Sequence, residues 1–175
     1  MGTNVRLASF ADMDELENLY DTLNDYLSEH INYPGWRKGI YPTRADALAG
    51  ISEKSLYVAT TDNKIVGSII LRHKPEDAYH QVRWQKELDY EKVFVIYTFL
   101  IHPDYFNKGM GKELLCFAEA LGKEQGMLAL RLDVSEDNLP AIKLYEKCSF
   151  HYIDTVDLGL EEYGLKWFKL YEKLI

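Results

Sequence analysis

Val93-Phe94-Val95-Ile96-Tyr97-Thr98-Phe99-Leu100-Ile101 runs directly into His102-Pro103-Asp104-Tyr105-Phe106-Asn107-Lys108-Gly109-Met110-Gly111-Lys112. The first nine residues are the most apolar run of the chain, short and rich in β-branched and aromatic side chains. They read as a central strand buried on both faces, and His102-Pro103 stops it. Beyond the glycines, Leu114, Leu115, Phe117, Ala118 and Leu121 recur at helical spacing. A helix is therefore expected from near Gly109 to Gly126, where a glycine can end it. Cys116 lies in mid-helix and is expected in the core.

Working outward, Leu128–Val134 reads as a second strand. Asn138 is placed to cap a helix with Pro140 in its first turn, where no intrahelical N–H is needed. That helix should end near Lys147, and Phe150–Val156 and Lys166–Tyr171 should close the chain as strands. Toward the N-terminus, Leu56–Thr60 and Lys64–Leu71 form an expected hairpin turned by Asp62-Asn63. Arg44–Ser52 is a short helix. Val5–Leu7 is a strand, Ser9 with Asp12 makes a capping box, and Leu16, Leu19, Tyr20, Leu23 and Leu27 mark a helix over about 12–30. The stretch Pro75–Leu88 is polar and has no clear pattern. The alternation is that of a mixed α/β (α+β) chain, read as one domain over residues 1–175 without a linker or repeat.

The 175 residues can enclose a full core. Their 47% hydrophobic and 27% charged content is that of a soluble globular protein, and no apolar run could span a membrane. Acids outnumber bases 28 to 20, giving a net charge of −8 without a basic cluster, so nucleic acid is an unsuitable partner. The N-terminus lacks a signal-peptide core. Cys116 and Cys148 form no zinc-type pair, so no metal is expected, and a reducing, cytoplasmic setting is inferred.

The glycine turn carries the chemistry. At a helix start the first N–H groups have no intrahelical acceptor, the dipole adds partial positive charge, and glycine lets a ligand come close to the backbone. Together they suit a phosphate or pyrophosphate, with Lys108 and Lys112 adding charge. Two nucleotide motifs are excluded: a P-loop would need glycine at Phe106 and Ser or Thr at Glu113, and a dinucleotide fingerprint would need glycine at Leu114.

In this context the turn resembles the Gln/Arg-x-x-Gly-x-Gly/Ala element of the GNAT acetyltransferase superfamily, which falls on Phe106–Gly111. The two glycines match and Phe106 replaces the leading Gln or Arg. A second block also resembles the family: Asn138, Ala141, Leu144, Tyr145, Glu146, Lys147 and Phe150 match Asn-x-x-Ala, Leu-Tyr-Glu-Lys and Gly-Phe, with Ser149 where glycine is usual. The resemblance covers nearly the whole chain. It implies a GNAT-like three-layer fold, with a mixed central sheet of about six to seven strands splayed at the CoA site and flanked by helices. It also implies transfer of an acetyl group from acetyl-CoA to a primary amine of a small molecule or protein within a ternary complex. Phe99, Leu100 and Ile101 would line the pantetheine arm. The amides of Asn107, Lys108, Gly109, Met110, Gly111 and Lys112 would hold the pyrophosphate, and Asn138 would complete the cofactor site. Dimers are common in the family, so a homodimer is compatible with it.

The acceptor must attack as a free amine. With a pKa near ~10, only about one part in a thousand is free at neutral pH, so a base or water chain is needed. His73, Glu76, Tyr97 and His102 are candidates, with His73 placed to flank the acceptor site and His102 in the turn. Asp133 is read as a structural strand-end carboxylate. Family analogy places the Tyr145 phenol beside the CoA sulfur, where it would hydrogen-bond the leaving thiolate. Cys148, one turn further, is read as a small buried residue. Tyr33, Trp36 and Tyr41 surround a bend that either walls the acceptor pocket, through packing or cation–π contact, or is a loop pinned by its aromatics. Trp84 admits the same two readings. The alternative to an enzyme is a non-catalytic acyl-CoA-binding or sensing domain, for which the Phe106 and Ser149 departures leave room.

Overall fold

The computed structural model describes residues 2–175. In chain order its elements are β1 (Asn4–Leu7), α1 (Met13–Glu29), α2 (Arg44–Ser52), β2 (Leu56–Thr61), β3 (Lys64–Arg72), β4 (Val93–Ile101), α3 (Met110–Glu124), β5 (Ala129–Ser135), α4 (Leu139–Lys147), β6 (His151–Asp157) and β7 (Trp167–Leu174), with short 3-10 turns between some of them. The seven strands form a mixed sheet in the order β1-β2-β3-β4-β5-β7-β6. The chain divides into two units, one made of the chain up to Asn32 with Trp36–Leu71 and Tyr97–Phe117, the other of Tyr33–Gly35, Arg72–Ile96 and Ala118–Ile175.

In the first unit, β1 and β3 pair antiparallel to β2. Asp62 and Asn63 turn the hairpin with φ of 50° and 62°, as a tight primed turn requires. Ser9 and Asp12 form the expected box: the Ser9 N–H donates to Asp12 Oδ2 at 2.8 Å, and Arg6 bonds both carboxylate oxygens at 2.8 Å. Leu16, Leu19, Tyr20, Leu23 and Leu27 of α1 are buried with Ala47 and Ile51 of α2 and with Leu56, Val58, Ile70 and Leu100 of the strands.

In the second unit, the start of β4 lies parallel to β5 through Val93↔Ala129, Phe94↔Leu130 and Val95↔Arg131, and β7 pairs antiparallel with both β5 and β6. An ion pair explains why the patternless stretch 75–88 is ordered. Arg131 Nε donates to Glu172 Oε2 at 2.7 Å, both side chains at most 1% exposed. Charges so deeply buried must have every remaining polar site satisfied. Accordingly Arg131 Nη2 donates to Lys86 O at 2.9 Å and Gln85 N–H donates to Glu172 Oε1 at 2.9 Å. The guanidinium lies 4.2 Å from the Trp84 ring centroid and 5.1 Å from that of Tyr90. Trp84 is thus a packed anchor.

Two expectations are corrected. Cys116 is exposed. The inner face of α3 is set by Met110, Leu114, Leu115, Ala118 and Gly122, and Cys116 lies about 200° around the helix from Leu114 and about 100° from Leu115. In β4, burial on both faces holds only for Val93–Ile96; beyond them Tyr97, Phe99 and Ile101 are half-buried while Thr98 and Leu100 are buried. One face of the strand's second half is therefore not fully covered.

α4 ends as its sequence departure suggests. Ser149 takes φ 67°, its N–H donates to Glu146 O and the Phe150 N–H donates to Tyr145 O at 3.0 Å, and the Tyr145 and Phe150 rings lie 5.8 Å apart. This is a Schellman motif with its hydrophobic contact. A left-handed non-glycine costs about 1–2 kcal/mol, and glycine's extra unfolded entropy offsets roughly 0.5–1 kcal/mol of any gain. Ser149→Gly is expected to raise the thermal midpoint by about 2 °C; calorimetry showing a lower midpoint would contradict this.

Candidate active site

The glycine turn is built by the end of β4. His102 N–H donates to Val66 O at 2.8 Å, and the His102 ring accepts from Asp104 N–H at 3.1 Å, so His102 serves the turn. Phe106 packs edge-on against Tyr26 of α1, ring centroids 5.4 Å apart, and joins the core cluster. The residue that departs from the Gln/Arg pattern is thus a hydrophobic pin for the turn. Asn107 and Gly109 follow with φ of 60° and 82°. Asn107, Lys108 and Gly109 are exposed, and the Gly109 carbonyl accepts the Glu113 N–H at 3.1 Å to open α3. A Cβ built on Gly109 would meet nothing within 4 Å. The space beside the Gly109 Cα is open, and the neighbouring Lys108 and Lys112 are both exposed. This donor set fits a diphosphate, whose charge the first-turn N–H groups and the dipole favour.

In the same unit the loop 36–41 closes on itself and on α1. Tyr41 N–H donates to Arg37 O at 3.0 Å, Trp36 meets Tyr41 edge-on at 5.3 Å, Asn32 Nδ2 donates to Trp36 O at 2.7 Å, and Asn24 Nδ2 donates to Tyr41 O at 3.1 Å. The Tyr41 hydroxyl lies 2.7 Å from Thr98 Oγ1, in the middle of β4, where Thr98 has φ 47°.

In the second unit, Tyr145 is buried on α4 beside Tyr171, ring centroids 6.3 Å apart. The Tyr171 phenol donates to Glu146 Oε1 at 3.1 Å, and burial with that carboxylate pushes its pKa up to about 12. Asn138 Oδ1 accepts the Ala141 N–H at 3.4 Å, and is thus the cap of α4. Asp133 of β5 is half-buried. Burial raises its pKa to about 6, against the lowering effect of the Tyr79 phenol, with Glu76 adding repulsion. Tyr79 donates to Asp133 Oδ2 at 2.7 Å, and Trp84 Nε1 donates to Tyr79 O at 2.9 Å.

A family model described as the acetyltransferase (GNAT) family matches residues 16–150. The chain belongs to the GNAT acetyltransferase family. Streptothricin acetyltransferase of Escherichia coli is 26% identical over 116 residues, 65% of this chain and 58% of that protein. The chain spans 25% and 58% of the lengths of the curated relatives it matches. Among solved structures, a GNAT-family acetyltransferase from Streptococcus agalactiae superposes with a TM-score of 0.78 at 18% identity, over 100% of this chain and 96% of that one. YncA of Salmonella typhimurium, solved with its cofactor acetyl-CoA, gives 0.71 at 14% identity, over 99% and 94%. At such identities the structures speak for the fold, and the seven-stranded mixed sheet agrees with it.

Within this GNAT chain the expected residues fall as follows. Phe99, Leu100, Ile101 and the turn residues Asn107–Lys112 are grouped in the first unit, along with Trp36 and Tyr41. Tyr33, His73, Asn138 and Tyr145 belong to the second; Tyr33 is half-buried. His73 is exposed, and its Nδ1 lies 2.9 Å from Val93 O and 3.1 Å from Tyr90 O. Facing two carbonyls, Nδ1 is the donor in these contacts. Cys148 is half-buried. Sequence reasoning missed Thr98, Tyr79 and the functional potential of Asp133. Only Asp133 had a visible signal, an acid between the apolar residues Leu132 and Val134 of a predicted strand.

Proposed function

We propose that the chain acts as one N-acetyltransferase domain, moving an acetyl group from acetyl-CoA to a primary amine of a small molecule or protein by direct attack. The observation that carries this reading is the exposed, left-handed Gly109, with open space above it, at the start of α3. The amides of Asn107–Gly111 hold the diphosphate, with Lys108 and Lys112 beside it. The half-buried face of Phe99 and Ile101 lines the pantetheine arm, and an N–H near Leu100 stabilises charge on the acyl oxygen. Acetyl-CoA supplies the acyl group as an activated thioester. Tyr145 donates a hydrogen bond to the departing sulfur, and Trp36 and Tyr41, with Tyr33, form the acceptor side.

Asp133 is the base we favour over His73. A carboxylate with a pKa of about 6 is ionised at neutral pH and can accept the proton that the attacking nitrogen sheds once bond formation to the acyl carbon has made that N–H acidic, and Tyr79 fixes its orientation. Two consequences follow with opposite signs. Turnover should rise with pH through about 6, because only ionised Asp133 accepts a proton. Stability should move the other way. A carboxyl group whose folded pKa lies above its unfolded value contributes fully below pH about 4 and loses that contribution as pH rises through about 6. Asp133→Asn is therefore expected to be slower at pH 7 while unfolding at a higher temperature there, with no gain at pH 4. A variant with an unchanged pH–rate profile would remove Asp133 from the mechanism.

The reading itself is tested by incubating the protein with acetyl-CoA and a panel of amines and following free thiol. Acceptor-dependent thiol release is expected. Tight CoA binding without turnover across a broad panel would favour a sensing domain instead.

A further inference from the structure

Thr98 is, among the described residues, the only one inside a strand with a left-handed backbone. The other non-glycine cases sit where a turn or helix end asks for such a φ: Lys54 beyond α2, Asp62 and Asn63 in the hairpin, Asn107 before α3, and Ser149 after α4. No turn asks for it at Thr98. A β-branched residue suits this region poorly, and such strain, of order 1–3 kcal/mol, persists only where surrounding structure over-determines it. Thr98 is also 5% exposed, so its hydroxyl needs a partner from the protein. That partner is the Tyr41 hydroxyl at 2.7 Å. Tyr41 is held in turn by Asn24 on its carbonyl, by its own N–H bond to Arg37 and by the Trp36 ring.

We propose that Tyr41 is a positioning residue for the catalytic strand. Its hydroxyl, braced by the loop 36–41, keeps Thr98 left-handed and so sets the direction in which the peptide groups of Phe99 and Leu100 point. The inference rests on the transferase reading and deepens it. The loop expected to meet the acceptor also fixes the strand that meets the donor, and one side chain performs both tasks. A left-handed residue inside a strand re-aims the groups after it, as bulges do beside active sites. Loss of the hydroxyl removes Thr98's partner and lets the strand relax toward an extended form.

The test is a double-mutant cycle in the intact chain. Tyr41→Phe keeps the ring and its packing, so the fold is retained. Its kcat for thiol release with the best amine of the panel is expected to fall about tenfold, with the KM for acetyl-CoA changed less than about threefold. Thr98→Val should behave alike. In a Thr98→Gly background, Tyr41→Phe should change kcat by less than about twofold, because glycine enters the left-handed region without help. A crystal structure of Tyr41→Phe should show Thr98 at negative φ. Wild-type kcat in Tyr41→Phe would overturn the proposal, as would an equal loss in both backgrounds or a Thr98 that stays left-handed without the hydroxyl. If even the wild-type protein releases no thiol, the transferase reading fails separately, and the φ of Thr98 in the variant decides the positioning role alone.

Discussion

Gly109→Val is expected to weaken CoA binding by about 100-fold in a titration while leaving the protein folded. The position has φ 82° and no atom within 4 Å of a built Cβ, so the first side-chain carbon meets no clash in the free protein. It does impose strain of order 1–3 kcal/mol. It also places two methyl groups beside the amides that we assign to the diphosphate. Losing one or two charge-assisted hydrogen bonds, each worth roughly 1.5–3 kcal/mol, gives the expected factor. Gly126→Val is the internal control. Gly126 has φ 77° and equally open surroundings, but it follows the C-terminal end of α3, where the dipole repels anions. It should lose similar stability and keep its CoA affinity. Equal affinity in both variants and the wild type would remove the glycine turn from the cofactor site.

Tyr145→Phe should lower kcat by about 30- to 150-fold, equivalent to roughly 2–3 kcal/mol of lost stabilisation of developing charge, with little change in CoA affinity. Proton transfer is not the first service of this phenol. A phenol in water, with a pKa near ~10, is a weaker acid than a thiol near ~8.5, so donation of a hydrogen bond is favourable where complete transfer is uphill. Phenylalanine preserves the contacts with Phe150 and Tyr171, so thermal stability should shift little. Steady-state kinetics with acetyl-CoA and the best acceptor, alongside a melting curve, separates the two effects. A variant at full rate would return Tyr145 to the aromatic packing of α4.

Local patterns carried most of the fold. The hairpin was legible because Asp62-Asn63 sits between two apolar runs, and α1 because its apolar residues repeat at helical spacing above acids. The cofactor turn was legible because a helix start with two glycines is a local chemical object. What escaped depends on long-range partners. The order of 75–88 comes from Arg131 meeting Glu172, 41 positions apart, and a buried ion pair leaves no periodic trace. The left-handed Thr98 depends on Tyr41, 57 positions away, and a threonine within an apolar run gives no sign of positive φ. Cys116 lies outside the core because the inner face of α3 runs through Met110, Leu114, Leu115, Ala118 and Gly122, which leaves the residue after Leu115 turned away from it. Asp133 looked like a capping acid because its meaning lies in its surroundings, including Tyr79 at 2.7 Å.

The backbone amides at the start of α3 are the foundation of this account, and a crystal structure with CoA bound tests them most directly. The diphosphate is expected within hydrogen-bonding distance of the N–H groups of Asn107–Gly111, with the pantetheine arm running along Phe99–Ile101. A diphosphate bound elsewhere on the protein, or a saturating titration that shows no CoA binding at all, would contradict it.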